Sequence, residues 1–225
     1  MQVVYEDNHI IVVSKQSGEI VQGDKTGDIP LSETVKAYLK EKYQKPGAVF
    51  LGVVHRLDRP VQGLVVFART SKALTRLNRM FAEGQVHKTY WAVVESSKPS
   101  LETSSSAVLT HWLVRNEKQN KSYAYDHEVP HSKKAMLKYT PIGQGERYML
   151  LEVELLTGRH HQIRCQLAAT GCPIKGDLKY GARRSNTDGS ISLLARKVEF
   201  VHPVSGNPVS IVAPPTEEMR KIFGV

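Results

Sequence analysis

The sequence predicts an α+β domain built on a mixed, largely antiparallel sheet with flanking helices and loops. Two observations lead there. Strand-like segments outnumber helix-like ones, and the two kinds do not alternate regularly as a parallel α/β sheet would require. Several apolar runs are also joined by short polar turns of the hairpin kind. No Pro/Gly-rich linker, internal repeat or low-complexity segment divides the chain, so residues 1–225 are read as one domain.

The elements follow in chain order. "VVYEDNHIIVVSK" reads as two strands around a turn at Glu6-Asp7-Asn8, and "KQSGEIVQGD" as a loop containing Gly18 and Gly23. Residues 32–43 have helical spacing: Val35, Tyr38 and Leu39 share a face, with Ser32 as the expected N-cap. "GLVVFAR" is apolar on both faces, as in a buried strand. "TSKALTRLNRMFAEG" carries an apolar stripe at Ala73, Leu74, Leu77, Met80 and Phe81, a basic one at Arg69, Lys72, Arg76 and Arg79, and Gly84 as its stop.

"HKTYWAVVE" reads as a strand and residues 96–106 as a polar loop. Residues 115–134 are polar, with Tyr123 and Tyr125 among basic residues, and fit a long loop or an exposed hairpin. "AMLKYTPIG" and "RYMLLEVELL" form a strand pair around "GQGE". "HHQIRCQLAATG" is a short helix ended by Gly171. On it Ile163 and Leu167 bury one side and Arg164 lies at the border. "SLLARKVEFVHPVSGNPVSIVAP" alternates like two strands around Ser205-Gly206-Asn207.

Composition narrows the function classes. The chain has 225 residues, 40% hydrophobic and 24% charged, which is enough for a sizeable core. Its formal net charge is +9, which points to a polyanionic partner. The charge is clustered: residues 159–184 hold six Lys/Arg against one Asp, and residues 69–83 hold four against one Glu. No apolar run is long enough to span a bilayer and the N-terminus lacks a secretory pattern, so a cytoplasmic protein without membrane contact is expected. Cys165 and Cys172 are seven apart, a poor zinc spacing and no disulfide framework, and are read as reduced thiols.

The chemistry centres on "HRLDRPVQGLVVFA" at residues 55–68, where Asp58 stands between Arg56 and Arg59 at the mouth of the buried strand. Arginine neighbours keep a carboxylate ionised, suiting it to act as nucleophile, base or metal ligand rather than as a raised-pKa acid. No companion ligands for a metal stand near it in sequence. A surface ion pair with an arginine is the purely structural alternative. A second stretch, "LLTGRHHQIRCQLAATGCPIKGDLKYG", sets Thr157-Gly158-Arg159 before a helix, a turn whose backbone N–H groups suit phosphate. Arg164 on that helix is placed to meet a carboxylate from elsewhere in the fold.

Together these stretches and "HKTYWAVVE" resemble, in order, the signature motifs of the RluA-type RNA pseudouridine synthases. "IIVVSKQSG" resembles the family's opening strand and "SLLARKVEFVHP" its closing segment, so the resemblance covers nearly the whole chain. It implies the pseudouridine synthase fold and isomerisation of a uridine in rRNA or tRNA, with base flipping and without cofactor or metal. It implies that Asp58 is the catalytic aspartate, Arg164 its pairing arginine and Tyr90 the ring that stacks on the flipped uracil. Arg56 then fills the vacated stack, and Leu193 packs at the active site. His55, Arg159, Lys175, Lys179, Arg183 and Arg184 are expected to hold RNA, and the protein is expected to act as a monomer. Four positions depart from the family pattern: Val61-Gln62 for Thr-Ser, Gln16 for Pro and Leu194 for His. The family's frequent N-terminal S4-like domain is not expected, because the motifs begin close to Met1. A non-catalytic RNA-binding protein and a phosphate hydrolase are the rival classes. The first needs no carboxylate in a basic cleft, and the second needs a metal shell.

Overall fold

The computed structural model describes residues 1–95 and 105–225. The loop expected over 96–106 therefore lies outside the described residues except for its last two positions. Eleven strands and four α-helices are present among the described residues, and antiparallel pairing dominates. The chain folds into two compact units, Met1–His87 with Ala195–Ala213, and Lys88–Leu194 with Pro214–Val225.

In the first unit β1 (Gln2–Glu6) and β2 (Ile10–Lys15) turn around Asp7. The Asp7 carboxylate accepts the backbone N–H groups of His9 at 2.7 Å and Ile10 at 2.8 Å, replacing the ladder where the strands separate. β4 (Gln62–Ala68) lies antiparallel to β2, from Ile10 opposite Ala68 to Lys15 opposite Gly63. Ile10–Val13 and Leu64–Ala68 are all buried, as their uninterrupted apolar runs require. β3 (Gly52–Val53) pairs with the end of β4. β10 (Leu193–Val201), which enters this unit at Ala195, neighbours β4 and pairs with β11 (Pro208–Val212).

Two helices flank these strands. α2 (Ser71–Ala82) is capped by Thr70 and buries Ala73, Leu77 and Met80 against β2, β4, β10 and β11 side chains. Burying Leu77 alone contributes roughly 1.5–3 kcal/mol. The basic stripe is less free than its spacing suggests. Arg69 is a buried partner of Glu6 at 3.0 Å, and Arg76 donates to the Pro203 carbonyl at 2.7 Å. α1 (Leu31–Lys42) starts one residue earlier than expected. Its N-cap is Pro30, without a side-chain cap, and Ser32 is buried inside the first turn. The start is set by the Leu31 and Ser32 N–H groups bonding to the Ile20 and Val21 carbonyls.

In the second unit the strands run in the order β5 (His87–Glu95), β9 (Tyr148–Leu155), β8 (Lys133–Gln144), β6 (Ala107–Asn116) and β7 (Lys121–Tyr125). Residues 115–134 thus form the hairpin β6–β7 and its return to β8 rather than a loop. α3 (Gln162–Ala169) packs on one side of this hairpin, with Cys165 and Ala168 against Leu113, Ala124 and Ala135. The expected half-exposed helix is buried at every position from Gln162 to Leu167, Arg164 included. A last helix, α4 (Glu217–Phe223), was not expected. Thr216 caps it through Met219 N, two acids open it and two bases close it.

Candidate active site

Asp58 lies in the segment between β3 and β4, half-buried, in a turn closed by Val61 N bonding to the Asp58 carbonyl at 3.0 Å. The turn is clamped from below by Lys15, the last residue of β2. Its fully buried ammonium donates to the carbonyls of Gln16 at 3.0 Å, Arg59 at 3.0 Å and Val61 at 2.7 Å. Burial lowers the Lys15 pKa to about 8, while the nearby Glu19 and Asp58 charges oppose that fall. A lysine in such a place fixes backbone carbonyls that would otherwise lack donors, and it puts a positive charge within reach of the Asp58 field.

The two arginines beside Asp58 divide. Arg59 reaches into the 16–30 loop, pairing with Asp28 at 2.6 Å and Asp24 at 3.6 Å and donating to Thr26 at 2.9 Å. Arg56 is exposed. His55, expected at the RNA, has a structural role as well. Its Nε2 accepts Val66 N at 2.9 Å, and its ring stacks on Phe81 with centroids 4.9 Å apart. Gly63 has φ +117°, and a Cβ there would stand 2.4 Å from the Ala195 carbonyl oxygen, so the approach of β10 to β4 requires glycine.

In the second unit Tyr90 is buried in β5 opposite Val153, and Leu193 is buried at the start of β10. Arg164 meets a carboxylate thirteen residues on. Its Nε and Nη2 donate to Asp177 at 2.6 and 2.9 Å, a buried bidentate pair. Asp177 is a site residue that sequence reasoning missed, although it stands in the same motif block, within "GDLKYG". The arginine also lies over the Tyr180 ring at 5.1 Å.

Tyr180 is the hub of a polar chain. Its hydroxyl accepts Ser122 N at 2.8 Å and faces His161 Nδ1 at 3.0 Å. Burial and then the Arg164 charge press the His161 pKa down to about 2. The imidazole is therefore neutral. His160 stacks on His161 and bonds through Nδ1 to Ser122 Oγ at 2.9 Å and through Nε2 to Asn120 Oδ1 at 3.1 Å. The chain ties the β6–β7 turn to the helix that carries Arg164.

The expected phosphate turn is partly consumed internally. Arg159 N bonds to Gln162 Oε1 at 3.0 Å and Thr157 N to the Met136 carbonyl at 3.1 Å. Arg159 itself donates to the Lys134 carbonyl at 3.1 Å, and Lys179 to the Asn120 carbonyl at 3.1 Å. Lys175, expected at the RNA, is an internal partner of Glu218 and donates to Asn186 at 2.7 Å. Arg183 and Arg184 are exposed, Arg183 near Glu95 at 3.8 Å. Among the described residues no group of three His, Cys, Asp or Glu is placed to hold a metal ion, and no helix is long and apolar enough to cross a membrane.

Comparison with known proteins bears on this arrangement. Residues 9–169 match the family described as RNA pseudouridylate synthase. The ribosomal large subunit pseudouridine synthase D of Xylella fastidiosa is 33% identical over 239 residues, an alignment spanning 99% of this chain and 68% of the relative. The tRNA pseudouridine synthase C of Pectobacterium carotovorum is 29% identical over 95% of this chain and 58% of its own length. The structure of human RNA Pseudouridylate Synthase Domain Containing 4 superimposes with a TM-score of 0.78 at 20% identity, over 96% of this chain and 89% of that one, which shows a shared fold. The match runs through the Asp58 turn and the Arg164 helix alike, and the chain belongs to the RNA pseudouridylate synthase family.

Proposed function

We propose that the protein isomerises a specific uridine of ribosomal or transfer RNA to pseudouridine, with Asp58 as the catalytic carboxylate. The observation that carries this reading is the Lys15 clamp. A buried ammonium directs two of its three hydrogen bonds to the backbone of the turn that presents Asp58. A clamp of this kind on a surface turn makes sense where a side chain must be held to a fraction of an ångström.

The reaction breaks the N1–C1′ bond, turns the base and forms C5–C1′. C5 gives up its proton and N1 gains one, so atoms balance and no redox partner is needed. An unprotonated carboxylate serves each route open to it: attack at C1′, attack at C6, or removal of a ribose proton. A base within folded RNA must first leave the stack, at a cost of a few kcal/mol. Arg56 offsets that cost by filling the gap, and Tyr90 offers the flipped uracil a ring face. Arg164 supplies the cation that balances the carboxylate, held in orientation by Asp177. Leu193 packs the apolar wall. Arg159, Lys179, Arg183 and Arg184 hold phosphates, and the protein works as a monomer.

The test uses ribosomal and transfer RNA from a strain lacking this gene, with pseudouridine mapped after incubation. The wild-type protein converts a discrete uridine, whereas Asp58→Asn converts none and binds the same RNA within about twofold. Persistent turnover by a clean Asp58→Asn preparation refutes the assignment of Asp58.

A further inference from the structure

We propose that the outer face of the β6–β7 hairpin is a stacking platform for unpaired bases of RNA. The proposal rests on the reading that the protein acts on RNA, and it adds a binding surface made of residues outside the Asp58 and Arg164 constellations. The hairpin has two faces. Its inner face, Leu113, Ser122 and Ala135, is buried, with α3 packed against Leu113 and Ala135. Its outer face places Trp112 opposite Tyr125 and Val114 opposite Tyr123, and Trp112 is also opposite Lys134 of β8. Partners in an antiparallel ladder point to the same side, so three aromatic rings share one face.

Tyr123 and Tyr125 remain 39% and 40% exposed, on a strand that ends the run β5-β9-β8-β6-β7. Single exposed aromatics are ordinary. Two on one edge strand, in register with a tryptophan and fringed by cations, form a patterned surface. Lys121 lies over the Tyr123 ring at 5.5 Å and Lys134 over Trp112 at 6.0 Å. Arg115 and Lys118 line, with the two tyrosines, a shallow cleft of about 630 Å³. Glu117 is the acid in that cleft, near Arg115 at 3.9 Å. An occupant must bring flat apolar faces together with negative charge, and single-stranded nucleic acid does so at every residue. Rings two apart on a strand stand roughly 7 Å from each other, which leaves room for a base on each.

The experiment measures binding of a fluorescein-labelled oligouridine, single-stranded, and of a blunt RNA duplex of the same length, by anisotropy at fixed salt. Tyr123→Ala/Tyr125→Ala is expected to weaken single-strand binding by roughly thirtyfold or more, since stacking on each of the two rings is worth about five- to a hundredfold per base. Tyr123→Phe/Tyr125→Phe, which keeps the rings, stays within about threefold of wild type, and duplex affinity is unchanged in both. Both tyrosines are exposed, and thermal melts verify that each variant is folded. An Ala variant that binds the single strand like wild type overturns the proposal and leaves the face to a protein partner. Equal losses on single strand and duplex, or no oligouridine binding by wild type, overturn it as well. Failure of the enzymatic reading shows separately, as absence of pseudouridine from any RNA treated with wild-type protein.

Discussion

Replacing Lys15 with methionine separates holding the Asp58 turn from holding the fold. Methionine fills similar volume but donates nothing. The Gln16 and Val61 carbonyls lose the ammonium, while the Arg59 carbonyl keeps Gly18 N at 3.0 Å. Two carbonyls without their donor cost about 2–6 kcal/mol together. Against this, the buried ammonium is itself unfavourable. A fall from 10.5 to about 8 corresponds to about 3 kcal/mol, which methionine does not carry. The net destabilisation near neutral pH is therefore small, between about −1 and about 3 kcal/mol. Turnover, which needs the turn in place, falls by about tenfold or more.

The pH dependence isolates the same group. The folded state holds the Lys15 proton more weakly than the unfolded state, so between about 8 and 10.5 the unfolded chain binds more protons and stability rises with pH. From about pH 7.5 to about pH 9.5 this one group adds roughly 2 kcal/mol to wild type and nothing to Lys15→Met. Urea unfolding of both proteins at the two pH values reads the difference, because every other titrating group is shared. An identical pH response in the two proteins refutes the buried, weakly protonated lysine. Unchanged turnover in the variant refutes its role at the turn.

Gly63→Ala sets a Cβ against the Ala195 backbone at a positive φ; urea unfolding should show a loss of about 2–6 kcal/mol, and a loss below about 1 kcal/mol would mean that β10 moves aside easily. Arg183→Ala/Arg184→Ala should flatten the salt dependence of RNA binding, by roughly 0.7 log units per decade for each phosphate no longer neutralised, with little change in turnover at saturating RNA. Arg56→Ala should do the reverse, and matching behaviour in the two variants would dissolve the distinction between phosphate-holding and base-replacing arginines.

Much of the fold was legible because its signals are local. The apolar runs of β2 and β4, the Thr70 cap and stripe of α2, and the Asp7 turn all follow from a few adjacent residues. What was not legible depends on backbone atoms or on distance. Lys15 closes an apolar strand, and its burial follows from carbonyls of Arg59 and Val61, which leave no mark in the side-chain pattern. Arg59 looks like a partner for its neighbour Asp58, yet it is engaged by Asp24, Thr26 and Asp28, more than thirty residues earlier. Ser32 is the better cap by residue preference, but strand-like bonds to Ile20 and Val21 start α1 at Leu31. α4 has seven residues and a single fully buried side chain, Met219, too short for a helical period to emerge although its cap and charges were readable. At the site, motif order placed Asp58, Tyr90 and Arg164 in the chain, whereas the carboxylate clamped to Arg164 and the His160–Ser122–Tyr180–His161 relay needed the fold.

The chain visits the first unit twice, leaving at His87 and returning only at Ala195. During synthesis this matters. The edge of β4 around Gly63 is shaped for one neighbour, and that neighbour leaves the ribosome about 130 residues later, roughly 7–26 s at ordinary elongation rates. Through that interval β4 keeps the Gly63 end of its β10 side unpaired, because β3 covers only Phe67 and Ala68. The close fit at Gly63 makes the position a poor template for other strands, because only a backbone that can approach as Ala195 does will seat there. Yield on overexpression should accordingly depend on slow, cool synthesis or on chaperones that shield this one edge.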